Sequence, residues 1–101
     1  MNYVTHQAPE TLTIFLIGKV SYSDHLQFRE ISRACEGSSA PGVVFDMTEV
    51  DFIDSTGLGM LIVAGEEAKK QQKEFIIKNP NSQVKKLFYT TKTNQFFTIR
   101  P

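Results

Sequence analysis

Several common chemistries are excluded by what this sequence lacks. It holds a single cysteine, Cys35, so no disulfide can close within the chain, and that usage fits a reducing compartment. Its two histidines, His6 and His25, are far in sequence from each other and from Cys35. Neither a zinc site nor a histidine-based nucleophile system is therefore expected. Eleven basic residues balance eleven acidic ones, which leaves no global field to draw nucleic acid or an anionic membrane. No apolar run approaches the roughly 20 residues of a membrane-spanning helix. Residues 1–6 carry neither the basic flank nor the apolar stretch of a signal peptide. The expectation is a cytoplasmic protein without membrane insertion or a nucleic-acid partner.

Nucleotide loops are missing as well. No Gly-Lys-Ser/Thr triplet of a P-loop occurs, and Gly57-Leu58-Gly59 lacks both the third glycine and the acidic ribose partner of a dinucleotide fingerprint. Asp46, Glu49, Asp51 and Asp54 form an acidic run that invites magnesium. They read more simply as solvated turn residues and caps. With no convincing acid/base pair, metal set or cofactor loop, the chain is expected not to be an enzyme and to carry no cofactor.

What is present is an alternation of strands and helices. At 101 residues, with 41% hydrophobic and 22% charged residues, the chain has the size and balance of one globular domain with one core. Residues 2–6 form a first strand that turns at Ala8-Pro9-Glu10. Residues 12–17 are apolar almost throughout and read as a strand buried on both faces, ended by Gly18. Ser21 and Asp24 have capping-box spacing, with Ser23 a competing cap. Phe28, Ile31 and Cys35 then recur at helical spacing over 24–36. Residues 42–47 are a buried strand and 48–53 the turn after it. A helix follows Ser55 with Leu58, Leu61, Ile62, Gly65 and Ala68 on one face. Residues 74–78 give a further buried strand. Asn79-Pro80 reads as a helix start, with Val84, Leu87 and Phe88 lining the helix to about residue 90. Residues 96–99 are a last edge strand. The short crossovers imply parallel pairing, and the hairpin-close first two strands make the sheet mixed. The fold expected is α/β, a mixed β-sheet with helices packed against it in the order β-β-α-β-α-β-α-β.

The chain is organised around residues 52–61, Phe-Ile-Asp-Ser-Thr-Gly-Leu-Gly-Met-Leu. Asp54 and Ser55 both have short oxygens able to accept from the orphan amides of a first helical turn. Gly57 and Gly59 each weaken a helix by about 1 kcal/mol relative to alanine, which suggests backbone that must stay uncovered. A serine hydroxyl beside bare amides at the positive end of a helix dipole suits a phosphate. On spacing alone, Ser55 reads first as a mere helix cap and only second as a phosphorylation site. Met60, Val63, Ala64 and Glu67 fall off the core face and read either as scattered surface residues or as a docking patch beside Ser55.

Asp54-Ser55-Thr56-Gly57-Leu58-Gly59, preceded by Val44-Phe45-Asp46-Met47 and Val50-Asp51-Phe52-Ile53, resembles the signature of the STAS domain. The likeness extends to Ile17-Gly18-Lys19-Val20 and Val84-Lys85-Lys86-Leu87-Phe88, so it covers nearly all of residues 1–101 as a single STAS domain. That family includes bacterial anti-sigma factor antagonists. The resemblance implies a phospho-switched antagonist in a partner-switching pathway of signal transduction and transcription regulation. The unphosphorylated form would bind a serine kinase that acts as anti-sigma factor. Phosphorylation would fall on Ser55, with Thr56 the neighbouring hydroxyl, and a PP2C-type phosphatase would reverse it. Asp54, Gly57, Gly59 and Asp46 would shape the site, and Met60, Val63, Ala64, Glu67 and Ser21 would meet the partner. STAS domains usually add a C-terminal helix, for which no residues remain after the last strand. Two other functions stay open: an accessory STAS subunit of a membrane transporter complex, and a small nucleotide-binding module.

Overall fold

A computed structural model describes residues 1–101. In chain order the elements are β1 (Asn2–Gln7), β2 (Thr11–Val20), a 3₁₀ turn (Tyr22–Asp24) leading into α1 (His25–Gly37), β3 (Gly42–Ile53) and α2 (Ser55–Lys70). Then follow β4 (Glu74–Lys78), α3 (Ser82–Thr90), a second 3₁₀ turn (Thr93–Phe96) and β5 (Thr98–Arg100). The five strands form one sheet in the order β1-β2-β3-β4-β5. β1 and β2 pair antiparallel and every later pair is parallel, which gives the mixed α/β sheet expected from the alternation.

All three helices pack on one face of that sheet. Leu12, Ile14 and Leu16 of β2, Val43, Phe45 and Met47 of β3, and Phe75 and Ile77 of β4 share a buried cluster with Phe28, Ile31 and Cys35 of α1. Leu58, Leu61 and Ala68 of α2 and Val84 and Phe88 of α3 join the same cluster. The other face stays largely open, which corrects the reading of residues 12–17 as buried on both sides. β2 alternates, and its outward Phe15 and Ile17 are 37% and 36% exposed. A run apolar at every position but Thr13 hid this period-2 pattern.

Two strands run further than their sequence suggests. Gly18 does not end β2; at φ +91 it lets the strand continue through an irregularity to Val20. Residues 48–53 are not a turn but the second half of β3, paired from Glu49 opposite Ile17 to Ile53 opposite Val20. Asp46 helps here, since its Oδ1 accepts from the Thr48 amide at 2.9 Å and the Thr48 hydroxyl at 2.6 Å. The α3 start also shifts. Asn79 adopts φ +56 and donates its amide to the Arg100 carbonyl of β5, so it serves the sheet. Asn81 is the cap, accepting from the Val84 amide at 2.8 Å. Residues 93–96 are taken by the 3₁₀ turn, so β5 begins only at Thr98.

Candidate functional site

The site lies where β2 and β3 end side by side, Val20 opposite Ile53. Both strands are parallel, so the loops leaving them emerge together at the carboxyl edge of the sheet, the usual place for a site on such a fold. The two loops are locked backbone to backbone. The Asp54 amide donates to the Val20 carbonyl at 3.2 Å. A Cβ on Gly57 would collide with that same carbonyl oxygen and stand 2.9 Å from its carbon and 3.0 Å from Ile53 Cγ1. Only glycine lets α2 seat this closely on the end of β2.

Asp54 caps α2. Its backbone is extended, and its Oδ1 accepts from the Gly57 amide at 2.7 Å. Its carbonyl accepts from Leu58 at 2.9 Å. Of the orphan amides of this helix start, those of Asp54 and Gly57 are thereby satisfied, and those of Ser55 and Thr56 donate to no group of the chain. Ser55 and Thr56 are both exposed. The cap role that competed for Ser55 thus belongs to its neighbour, and the Ser55 hydroxyl is left to solvent beside two unengaged amides.

The loop after β2 is built around a buried carboxylate. Asp24 is 5% exposed; its Oδ2 accepts from the Ser21 amide at 2.8 Å, and its Oδ1 pairs with the Met1 ammonium at 3.0 Å. Ser21 is half-buried, with its hydroxyl 2.9 Å from that of Ser23. Tyr22 projects outward, 64% exposed, and stacks on the His25 ring with centroids 4.9 Å apart.

Between α1 and α2 runs an open groove of about 660 Å³ that begins at Thr56. Gly59, Met60, Val63, Ala64 and Glu67 line its α2 side. Val63 is 55% exposed, whereas Met60 and Ala64 are half-buried against the core and form floor more than rim. A Cβ on Gly59 would meet nothing within 4 Å, so this glycine leaves space that no packing requires. The opposite wall, Tyr22, His25, Arg29 and Glu36, was not singled out from sequence. The visible signal was the spacing of Tyr22, His25, Arg29, Ser32 and Glu36, three or four residues apart, which sets an aromatic pair and polar side chains along one side of α1.

Asp46 is not part of this arrangement. It sits in β3 opposite Phe15 and Lys78, seven residues of strand before Ile53, about 20 Å away. The acidic residues do not gather: no three carboxylate, histidine or cysteine side chains come together as a metal site. Two groups titrate away from their ordinary range. The Tyr3 phenol is raised by its hydrogen bond to Glu30, 2.9 Å long, with burial and the Glu30 charge adding to it. Burial pushes the Cys35 thiol up; the Lys73 charge opposes this and that of Glu36 adds to it.

A one-sided mixed sheet, with a capped helix start and exposed hydroxyls after its central strand, is the architecture of a small domain of the STAS type. The chain belongs to that family, whose STAS domain model matches residues 2–101. Solved structures agree in fold. The anti-sigma factor antagonist SpoIIAA in its unphosphorylated form superposes with a TM-score of 0.74 at 22% identity, over 99% of this chain and 87% of that one. The Bacillus cell fate determinant SpoIIAA in its phosphorylated form gives 0.74 at 20% identity, over 97% and 90%. An anti-sigma factor antagonist from Mycobacterium paratuberculosis gives 0.84 at 18% identity, over 99% and 85%. No helix of this chain is long and apolar enough to cross a membrane.

Proposed function

We propose that this STAS domain is a cytoplasmic, phospho-switched antagonist that binds a serine kinase acting as an anti-sigma factor and is released when Ser55 is phosphorylated. The observation that carries the reading is the division of labour at the α2 start. Asp54 holds the cap, and Ser55 keeps a free hydroxyl next to two free amides and the mouth of the α1–α2 groove. Phosphoryl transfer attaches the γ-phosphoryl group of ATP to Ser55 Oγ, with loss of the hydroxyl proton and departure of ADP; the base and the magnesium belong to the kinase. A PP2C-type phosphatase reverses the step by hydrolysis. The domain supplies the acceptor and performs no chemistry of its own.

The switch works by charge at an existing surface. A phosphate adds about −1.5 to −2 charges, and the Ser55 and Thr56 amides at the positive helix end can receive its oxygens without refolding. A partner that docks along the groove would then have to bury that charge. A penalty of about 2.8 kcal/mol weakens the complex roughly a hundredfold.

The test is incubation with the cognate kinase and ATP, followed by phosphosite mapping and binding titrations. One phosphate is expected on Ser55, lost in Ser55→Ala and retained in Thr56→Ala. Ser55→Asp should lose most partner affinity and Ser55→Ala bind constitutively, with amide spectra unchanged outside the α2 start. Phosphate on Thr90 or Thr91, or equal affinity of the two Ser55 variants, overturns the reading.

A further inference from the structure

The two edges of the sheet are unlike. β5 is three residues long, contains Arg100 and is followed at once by Pro101, all of which discourage pairing with another strand. β1 has six residues, Asn-Tyr-Val-Thr-His-Gln, with no lysine, arginine, acid, proline or glycine. Its register with β2 runs through six consecutive pairs without a bulge. Five of its six residues are exposed; Glu30 of α1 and Ser38 after it reach the Tyr3 and Gln7 side chains but not the outer edge of the strand's backbone. None of the usual devices that blunt an edge is present.

The ladder shows which groups point outward. The Ala8 amide donates to the Thr11 carbonyl at 2.9 Å, so that pair is hydrogen-bonded. Alternation along an antiparallel ladder makes the His6/Thr13, Val4/Phe15 and Asn2/Ile17 pairs hydrogen-bonded too. Tyr3, Thr5 and Gln7 therefore aim their backbone N–H and C=O groups away from the sheet.

We infer that β1 is a homodimerisation edge, taking the β1 strand of a second copy of this chain in antiparallel register centred on Thr5. In that register Thr5 faces its own copy and Tyr3 faces Gln7. Two hydrogen bonds form at the central pair and two at each flanking Tyr3/Gln7 pair. The outward-pointing residues thus match one another without remainder, which makes the strand its own complement. Same-face pairing is preserved, since Val4 and His6, both on the open face of the sheet, lie opposite each other. No charge stands in β1 itself, and the whole chain is neutral, so no net charge opposes the approach of two copies. The contact is isologous and closes at two. It lies at the far edge from α2, so it leaves Ser55 and the groove free, and its outcome does not depend on the proposed switch.

Sedimentation equilibrium of the untagged chain tests this. The weight-average mass should climb from that of one chain toward that of two between about 1 µM and about 1 mM, as a short strand pairing of modest area allows. Thr5→Pro removes only an outward-facing amide, leaves the β2 ladder intact, and should shift the midpoint at least tenfold with an unchanged melting curve. Thr5→Lys places two like charges directly opposite each other and should do the same even where Thr5→Pro proves to melt early. A wild type that stays monomeric throughout, a mass that grows beyond two chains, or both variants dimerising like the wild type overturns the inference.

Discussion

Gly57 and Gly59 sit two residues apart near the start of α2, yet one faces protein backbone and the other open space. A methyl group on Gly57 would strike the Val20 carbonyl, whereas one on Gly59 would meet nothing within 4 Å. The same contrast runs down the helix. Gly57, Leu58, Leu61, Gly65 and Ala68 are buried, and a Cβ on Gly65 would already press Phe75 Cδ2 at 3.2 Å. Ser55, Thr56, Gly59 and Val63 turn instead toward solvent and the groove. Small residues on the first side let the helix close on the sheet. Small residues on the second side leave room for something outside the chain. One helix therefore holds the fold with one face and presents the candidate site with the other.

Alanine at each glycine gives the largest expected difference. Gly57→Ala should cost about 3 kcal/mol, because the obstacle is a backbone carbonyl that cannot rotate aside. In a chain of this size that is a fall in melting temperature on the order of 15 °C. Gly59→Ala should instead raise stability by up to about 1 kcal/mol, the ordinary gain of replacing glycine within a helix. If both variants melt alike under chemical denaturation, the two faces do not differ as described.

The groove side gives the next effect. Val63→Lys places a charge at an exposed position that lines the groove. It should weaken the proposed kinase complex about tenfold or more while changing stability by less than about 0.5 kcal/mol. Gly59→Ala sharpens the point, since its stability should rise as its affinity falls. A loss of stability in Val63→Lys would place that side chain on the packed side.

Asp54 stands at the boundary between the two faces, and its replacement should have an intermediate effect. Asp54→Ala removes the 2.7 Å bond to the Gly57 amide and should cost about 1 kcal/mol, with Asp54→Asn recovering most of it as another good cap. Equal losses from both variants, measured by urea titration, would mean that the carboxylate acts through its charge and not as a cap.

Sequence reading succeeded where a local rule decides the outcome. Residues 74–78 were placed as a strand to the residue, because a short apolar run bounded by polar residues admits little else. The helix start at Ser55 was legible for the same reason. What escaped depended on partners distant in the chain. Residues 48–53 read as a turn from their acids, but β2 supplies the pairing that keeps them in β3. The single open face of the sheet could not be seen in the nearly continuous apolar run at 12–17, since only the placement of three helices decides which alternate residues are covered. Gly57 was read as uncovered backbone when it is buried, because its neighbour Val20 lies 37 positions back in the sequence. The α1 wall of the groove was missed on the same ground: a groove belongs to two helices, and no one segment displays it.

The smallest effect uses Cys35, which sits on the packed side just behind the groove floor, near Ala64 and Glu67. Burial holds its thiol protonated above the ordinary range in the folded chain, while the unfolded chain ionises at the usual value of about 8.5. As pH rises past that value the unfolded state carries fewer protons than the folded one, so stability falls with pH until the folded thiol also ionises. Tyr3 contributes in the same sense at higher pH, because its phenol is raised as well. The two separate by mutation: Cys35→Ala should flatten the decline that begins near pH 8.5 and leave the later one, and Tyr3→Phe should do the reverse. Alkylation of Cys35 should be slow at neutral pH and faster once Gly57→Ala loosens the seat of α2, but unchanged by Gly59→Ala. A thiol that reacts at the same rate in both variants would show that the packed face of α2 does not close over it.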